Sequence, residues 1–233
     1  MIVAMSLESF IGVSSSSVMP DPSQLPAAGA ATPSWDARLA RALVRPLQCS
    51  PITPNHLTTV RLAVGIAAAD AFMRGSYAWM NLGAVLLVVS NFLDHADGEL
   101  ARISGKTSRL GHWYELASDA VVTSLFFTAI GVGVGTRSAR VLQVPPLVLG
   151  TIAGISIALI FVLRAHIEAM AGKAASKQAS MGGFETEDVL YLLPLVTLCN
   201  GATPLLIAAA IGAPLFAVRV VFDYRRALRG YTR

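Results

Sequence analysis

The sequence predicts an all-α integral membrane protein with six transmembrane helices and an N-terminal amphipathic juxtamembrane helix. Three observations predict it. Of 233 residues, 54% are hydrophobic and only 14% are charged, where soluble domains carry about 25% charged residues. Apolar runs of roughly 20 residues, the length that crosses a bilayer as a helix, recur along the chain. Most of these runs have no polar face, which a soluble helical bundle would need.

The elements follow in chain order. Residues 1–34 are rich in Ser, Pro and Ala and read as a disordered tail. Their opening, MIVAMSLESFIGVSSSS, has no basic region ahead of its short apolar run, so a cleaved signal peptide is not expected. The membrane domain is expected over 35–225, with 226–233 as a basic cytoplasmic tail. In WDARLARALVRPL, residues 35–47, Leu39, Leu43 and Val44 fall on one side of a helix. Arg38, Arg41 and Arg45 fall mostly on the other, the pattern of a helix lying on the cytoplasmic membrane surface.

Spans are expected at 57–73, 76–93, 112–135, 145–164, 187–200 and 202–222. The fifth is short, contains Pro194, and is expected to begin earlier, through Glu187 and Asp188. Pro204 and Pro214 in the sixth are tolerable in a membrane helix. The run IGVGVG, residues 130–135, lacks the strand and lysine of a phosphate-binding loop and reads as small-residue helix packing.

Basic residues set the orientation. With the N-terminus inside, one side receives Arg102, Lys106, Arg109, Arg164, Lys173 and the arginines of the C-terminus, while the other receives Arg74, Arg137 and Arg140. The positive-inside rule then places both termini and the connections near 94–111 and 165–186 in the cytoplasm. The net charge of +4 is too small and too dispersed to suggest nucleic acid. Cys49 and Cys199 lie far apart, as two reduced thiols or at most one bridge, and suggest neither a disulfide scaffold nor a zinc site.

The chemistry concentrates at LDHADGELARISGKTSRLGHWYELASD, Leu93 to Asp119. Asp94 and Asp97 are three residues apart and Glu115 and Asp119 four apart, so each pair shares one face of its helix. Two antiparallel helices with a short connection can aim all four carboxylates into one space at the inner membrane face. Unpaired, they would repel one another and be costly to desolvate. All-oxygen ligands without His or Cys suit Mg2+, Mn2+ or Ca2+, and four carboxylates can hold two ions about 3.5–4 Å apart, the arrangement of two-metal phosphoryl transfer. Gly98 leaves room beside Asp97, Ala101 keeps the same face small, and Arg102 supplies a forked cation for phosphate oxygens. Gly111 lets the next helix start tightly and pack close to the one before it. Glu99 falls between Asp97 and Arg102 and is expected to cap or to pair with a basic neighbour. His95 and His112 flank the acids and read as interfacial hydrogen-bonding anchors. Arg61 can snorkel to the headgroups or reach donor phosphates, and Asp70 reads as interfacial.

This stretch resembles the signature D-x2-D-G-x2-A-R-x8-G-x3-D-x3-D of the CDP-alcohol phosphotransferases. Here it reads Asp94, Asp97, Gly98, Ala101, Arg102, Gly111, Glu115 and Asp119, with every spacing kept and Glu115 in place of an aspartate. PNHLTTVR, Pro54 to Arg61, is similar to that family's entry into its first span. The resemblance implies an enzyme of phospholipid synthesis that joins a CDP-linked lipid donor, CDP-diacylglycerol, to an alcohol acceptor and releases CMP. It implies two bound ions, Mg2+ or Mn2+, on Asp94, Asp97, Glu115 and Asp119, with Asp119 also the general base. It implies donor binding by Asn55, Thr58, Arg61, Gly98, Ala101, Arg102 and Gly111, and a homodimer in the membrane. Arg164 and Lys173 are the candidates for a phosphorylated acceptor, while Glu185, Glu187 and Asp188 would suit a polyol or an amine. Two other readings stay open: transfer from a soluble CDP-alcohol to a lipid hydroxyl, and a divalent-cation transporter using the same acids.

Overall fold

The computed structural model describes residues 35–171 and 190–231. The expected tail at 1–34, Lys173, Glu185, Glu187 and Asp188 lie outside the described residues. Within them the protein is all-α. Helix α1 spans Trp35–Val44 and runs into a short 3-10 turn, Arg45–Leu47. It is followed by α2 (Pro54–Met73), α3 (Tyr77–Ser104), α4 (Arg109–Gly135), α5 (Pro146–Ala171), α6 (Leu193–Leu198) and α7 (Ala202–Tyr231).

Local chemistry sets the boundaries. Pro54 opens α2, where its missing N–H costs nothing, and the Thr53 backbone N–H donates to His56 Nδ1 at 3.2 Å. Ser76 caps α3, which ends at Gly105 in the left-handed conformation, φ 68°. Ser108 then caps α4 by accepting from the Gly111 backbone N–H at 2.9 Å. The turn between α3 and α4 is therefore short, yet the two helices do not pack directly on each other as the sequence suggested; each packs on α2, which stands between them.

Four helical segments among the described residues are long and apolar enough to cross a membrane: Tyr77–Ser104, Leu110–Gly135, Pro146–Ile167 and Ala202–Arg229. They match the second, third, fourth and sixth expected spans. Helix α2, the first expected span, is 20 residues long but carries Arg61 and Asp70 and is not among the four. The fifth is also changed. Pro194 stands in the first turn of a helix of only 6 residues, and Asn200 then adopts φ 55° to turn the chain into α7. Helix α7 continues through Arg225, Arg226 and Arg229, so these basic residues sit on its last turns.

The core runs between α2, α3, α4 and α7, with Phe72, Met80, Leu87, Phe126, Ile130 and Leu206 buried together. The Phe72 and Phe126 rings meet edge to face, centroids 5.2 Å apart. Small residues let the backbones close. A Cβ on Gly133 would strike the Phe72 carbonyl oxygen, and one on Gly150 the Phe127 carbonyl oxygen. The IGVGVG run is thus packing surface, as expected. Val85, Leu125, Ile155, Leu215 and Phe222 are exposed around the outside, where a lipid-facing surface requires apolar groups. Helix α1 buries Ala40 and Val44 against Ala96 and Leu100 of α3 and leaves Leu39 and Leu43 exposed.

Candidate active site

Helices α3 and α4, both packed on α2, bring their acids to one place. One carboxylate oxygen each from Asp94, Asp97 and Glu115 lies within 4.8 Å of the others. Asp97 is 2% exposed and accepts a 2.6 Å hydrogen bond from Thr58 Oγ1. Thr58 reaches it because α2 packs along α3 and presents its first turns to the same point. Asp119, one turn beyond Glu115, is held differently. It forms an ion pair with Arg61, whose Nη1 also lies 2.6 Å from Asp94 Oδ1. Arg61 is 3% exposed, and Ser90 Oγ donates to its backbone carbonyl at 3.0 Å, which fastens α2 to α3 at this level. Of the two readings open for Arg61, snorkelling is wrong for this geometry, because the guanidinium turns inward to bridge two of the acids.

Two spaces open on the acids. A cleft of about 410 Å³ is lined by Asn55, Thr58, Gly98, Ala101, Arg102 and Gly111, with Asp97 and Glu115 on its wall. Those six are the residues named from the sequence for donor binding, less Arg61. A smaller recess of about 80 Å³ is lined by Arg61, Asn91, Asp94 and Asp119, and by Phe126 and Phe161 on its apolar side. The acids thus divide in pairs, Asp97 and Glu115 toward the cleft, Asp94 and Asp119 toward the recess.

The residues fit a hard divalent cation. The donor set is carboxylate oxygen throughout, and the single guanidinium of Arg61 cannot balance four carboxylates at low dielectric. Gly98 points to the same use. A Cβ there would meet nothing nearer than Arg102 Nη2, at 3.7 Å, so the glycine is not demanded by packing and keeps the cleft wall open. Gly111 differs, since a Cβ there would come within 2.9 Å of Asn55 Oδ1.

Other sequence candidates fall as follows. Glu99 pairs with Arg102 on its own helix and with Arg41 of α1. Arg102 pairs with Glu99 while its side chain remains 65% exposed at the cleft rim. His112 lines the cleft, and the His95 ring stacks on Tyr191 at 6.5 Å. Arg164 lies 5.3 Å over the Phe216 ring, one turn beyond Phe161 of the recess. Asp70 pairs with Arg74 on the exposed surface, and Cys49 and Cys199 are both free thiols. Sequence reasoning missed Asn91, Ser90 and Arg41 as neighbours of the site. Asn91 and Ser90 sit one turn before Asp94, a spacing that could have flagged them, whereas nothing in the sequence ties Arg41 to Glu99.

Comparison with known proteins bears on this geometry. Residues 51–222 match the family model described as CDP-alcohol phosphatidyltransferase. The bifunctional IPC transferase and DIPP synthase of Rubrobacter xylanophilus is 28% identical over 140 residues, 60% of this chain and 29% of that protein. The archaetidylinositol phosphate synthase of Pyrococcus horikoshii is 32% identical over 82 residues, 35% of this chain and 42% of that protein. The matched stretches thus span less than half the length of these curated relatives. Among solved structures, Mycobacterium tuberculosis phosphatidylinositol phosphate synthase, crystallised with CDP-DAG bound, aligns with a TM-score of 0.52 at 21% identity, covering 84% of this chain and 92% of that one. At that identity the likeness concerns the fold.

Proposed function

The chain belongs to the CDP-alcohol phosphatidyltransferase family, and we propose that it transfers the phosphatidyl group of CDP-diacylglycerol to the hydroxyl of an acceptor alcohol, releasing CMP. Family membership makes it a transferase of phospholipid biosynthesis and sets aside the transporter reading. The observation that carries the finer reading is the convergence of Asp94, Asp97 and Glu115 beside a cleft that Gly98, Ala101 and Arg102 also line. The bilayer arrangement proposed with it has six spans, with the acids at the cytoplasmic face, where the basic residues concentrate.

Asp94, Asp97 and Glu115, joined by Asp119, would hold Mg2+ or Mn2+, with two ions expected. When bound, the ions neutralise the donor diphosphate and stabilise the charge that builds on the leaving phosphate. The residues of the chain do the rest. Asn55, Thr58, Gly98, Ala101 and Gly111 shape the cleft for the cytidine diphosphate, and Arg102 at its rim offers paired N–H donors to phosphate oxygens. Thr58 fixes the orientation of the Asp97 carboxylate, and Arg61 does the same for Asp94 and Asp119. The acceptor hydroxyl arrives from the recess, where Asp119 takes its proton. Its oxygen bonds to the β-phosphorus, the bond from that phosphorus to the bridging oxygen breaks, and CMP leaves with the electron pair. Arg164, one turn from the recess, remains the proposed contact for a phosphorylated acceptor, together with Lys173.

The names of two similar proteins contain inositol phosphate, so a phosphorylated inositol leads the panel of acceptors to test. Purified protein in detergent, given CDP-diacylglycerol, Mg2+ or Mn2+ and a panel of alcohols, should release CMP with at least one of them. CMP release only from soluble CDP-alcohols with a lipid acceptor would reverse the direction of transfer, and none with any pair would remove the reading.

A further inference from the structure

We infer that Glu99 is a positioning residue for the donor: it holds Arg102 at the cleft rim in the orientation that meets the diphosphate, and it takes its own bearing from Arg41 of the juxtamembrane helix. The inference rests on Arg102 being a donor contact, as proposed above.

Glu99 stands in a place where a carboxylate needs a reason. Its side chain is 5% exposed and the residue is 4% exposed. It sits two positions past Asp97 on α3, and it does not belong to the group of carboxylates that converge as possible metal ligands. Both of its oxygens are used. Oε1 pairs with Arg102 Nη1, and Oε2 accepts from Arg41 Nε at 3.0 Å. A buried carboxylate braced by two guanidiniums from two helices is a fixed point, since losing either partner leaves charge uncompensated.

Geometry decides what the fixed point orients. Arg102 is bound to Glu99 through one terminal nitrogen, Nη1. Its other terminal nitrogen, Nη2, is the atom nearest to where a Gly98 Cβ would stand, at 3.7 Å, on the open wall of the cleft. The planar fork therefore has one edge on Glu99 and the other toward the space left for the diphosphate. A guanidinium has five N–H donors and can serve both partners at once. An unbraced arginine with a side chain 65% exposed would have to be ordered by the ligand, which is paid in lost binding. Arg41 completes the brace through Glu99 and does not line the cleft itself. Because Ala40 and Val44 seat α1 on Ala96 and Leu100, the orientation of Arg102 is linked to how the juxtamembrane helix lies on α3.

The test is a double-mutant cycle read on donor KM, kcat and equilibrium binding of CDP-diacylglycerol in Mn2+, with thermal unfolding measured alongside. Glu99→Gln keeps shape and removes charge. It is expected to raise donor KM about tenfold with kcat changed much less, as for the loss of one oriented charged contact, and to weaken CDP-diacylglycerol binding in parallel. Arg102→Ala should raise KM at least as far, and Glu99→Gln added to Arg102→Ala should change KM no further. Arg41→Ala should give the same effect as Glu99→Gln in weaker form, and Glu99→Asp should recover part of the binding. An Arg102→Ala enzyme with unchanged donor KM would remove the donor role of Arg102 and the inference with it. A raised KM in Arg102→Ala with an unchanged or lowered KM in Glu99→Gln would overturn the inference alone, and so would a Glu99→Gln effect that adds in full to that of Arg102→Ala. If Glu99 serves only to dock α1, Glu99→Gln lowers the unfolding temperature and leaves donor affinity as it was.

Discussion

Helix α2 has one arginine within its first half and another just past its end, and the two are held in opposite ways. Arg74, just past the C-terminal end, pairs with Asp70 at 2.9 Å, with side chains 51% and 56% exposed. It also lies 4.2 Å over the Trp79 ring. Arg61 is buried and ties α2 to Asp94 of α3 and Asp119 of α4. The same residue type is an anchor at the end of the helix and a hub inside it. What separates them is solvent: water screens an exposed pair until it is worth little, while a buried charge stripped of its partner is expensive. At the hub that cost goes with holding carboxylates in the positions proposed for a cation and a diphosphate.

The widest break between the two sites should come from Asp119→Asn. It keeps size and removes the carboxylate proposed as the base, so CMP release is expected to fall by roughly 10³-fold, with the unfolding temperature in detergent little changed. Full turnover would show that Asp119 is not the base. Arg61→Met comes next. Leaving Asp94 and Asp119 without their cation should cost about 3–5 kcal/mol in unfolding measurements without metal, and added Mn2+ should restore part of that stability. Equal stability to wild type would mean the bridge is not a hub. Gly98→Val asks whether the glycine serves a ligand. The new side chain enters the cleft, so donor KM should rise by the equivalent of about 1–3 kcal/mol, with folding unaffected, because a Cβ meets only Arg102 there. Arg74→Ala should be the mildest change, under about 1 kcal/mol with no change in CMP release. A loss of activity in that variant would erase the contrast between the two sites.

The legible parts of this molecule were those written in short-range spacing. The glycines of 130–135 read as packing surface because nothing else suits them, whereas the second span was expected to end at 93 and α3 runs on to Ser104. The signature positions were readable because each pair of acids repeats at helical spacing. The contacts that give the site its shape were not readable. Arg61 meets Asp119, and Arg41 meets Glu99, across separations of 58 residues, and sequence alone does not say which of several arginines turns inward. The fifth span was hard to read for a related reason. Its apolar composition suggested a crossing helix, whereas among the described residues of that stretch the α-helix runs from Leu193 to Leu198, with Pro194 in its first turn and a turn at Asn200 after it.

Metal binding at the hub tests the central claim without any knowledge of the acceptor. Mn2+ titrated into the purified protein and followed by electron paramagnetic resonance should lose its free-ion signal as sites fill, more steeply when CDP-diacylglycerol is present. In Asp97→Asn the signal should stay that of free Mn2+, while Asp70→Asn at the other end of α2 should behave as wild type. Equal Mn2+ binding by wild type and Asp97→Asn would contradict the assignment of Asp94, Asp97 and Glu115 as the metal-holding face of the site.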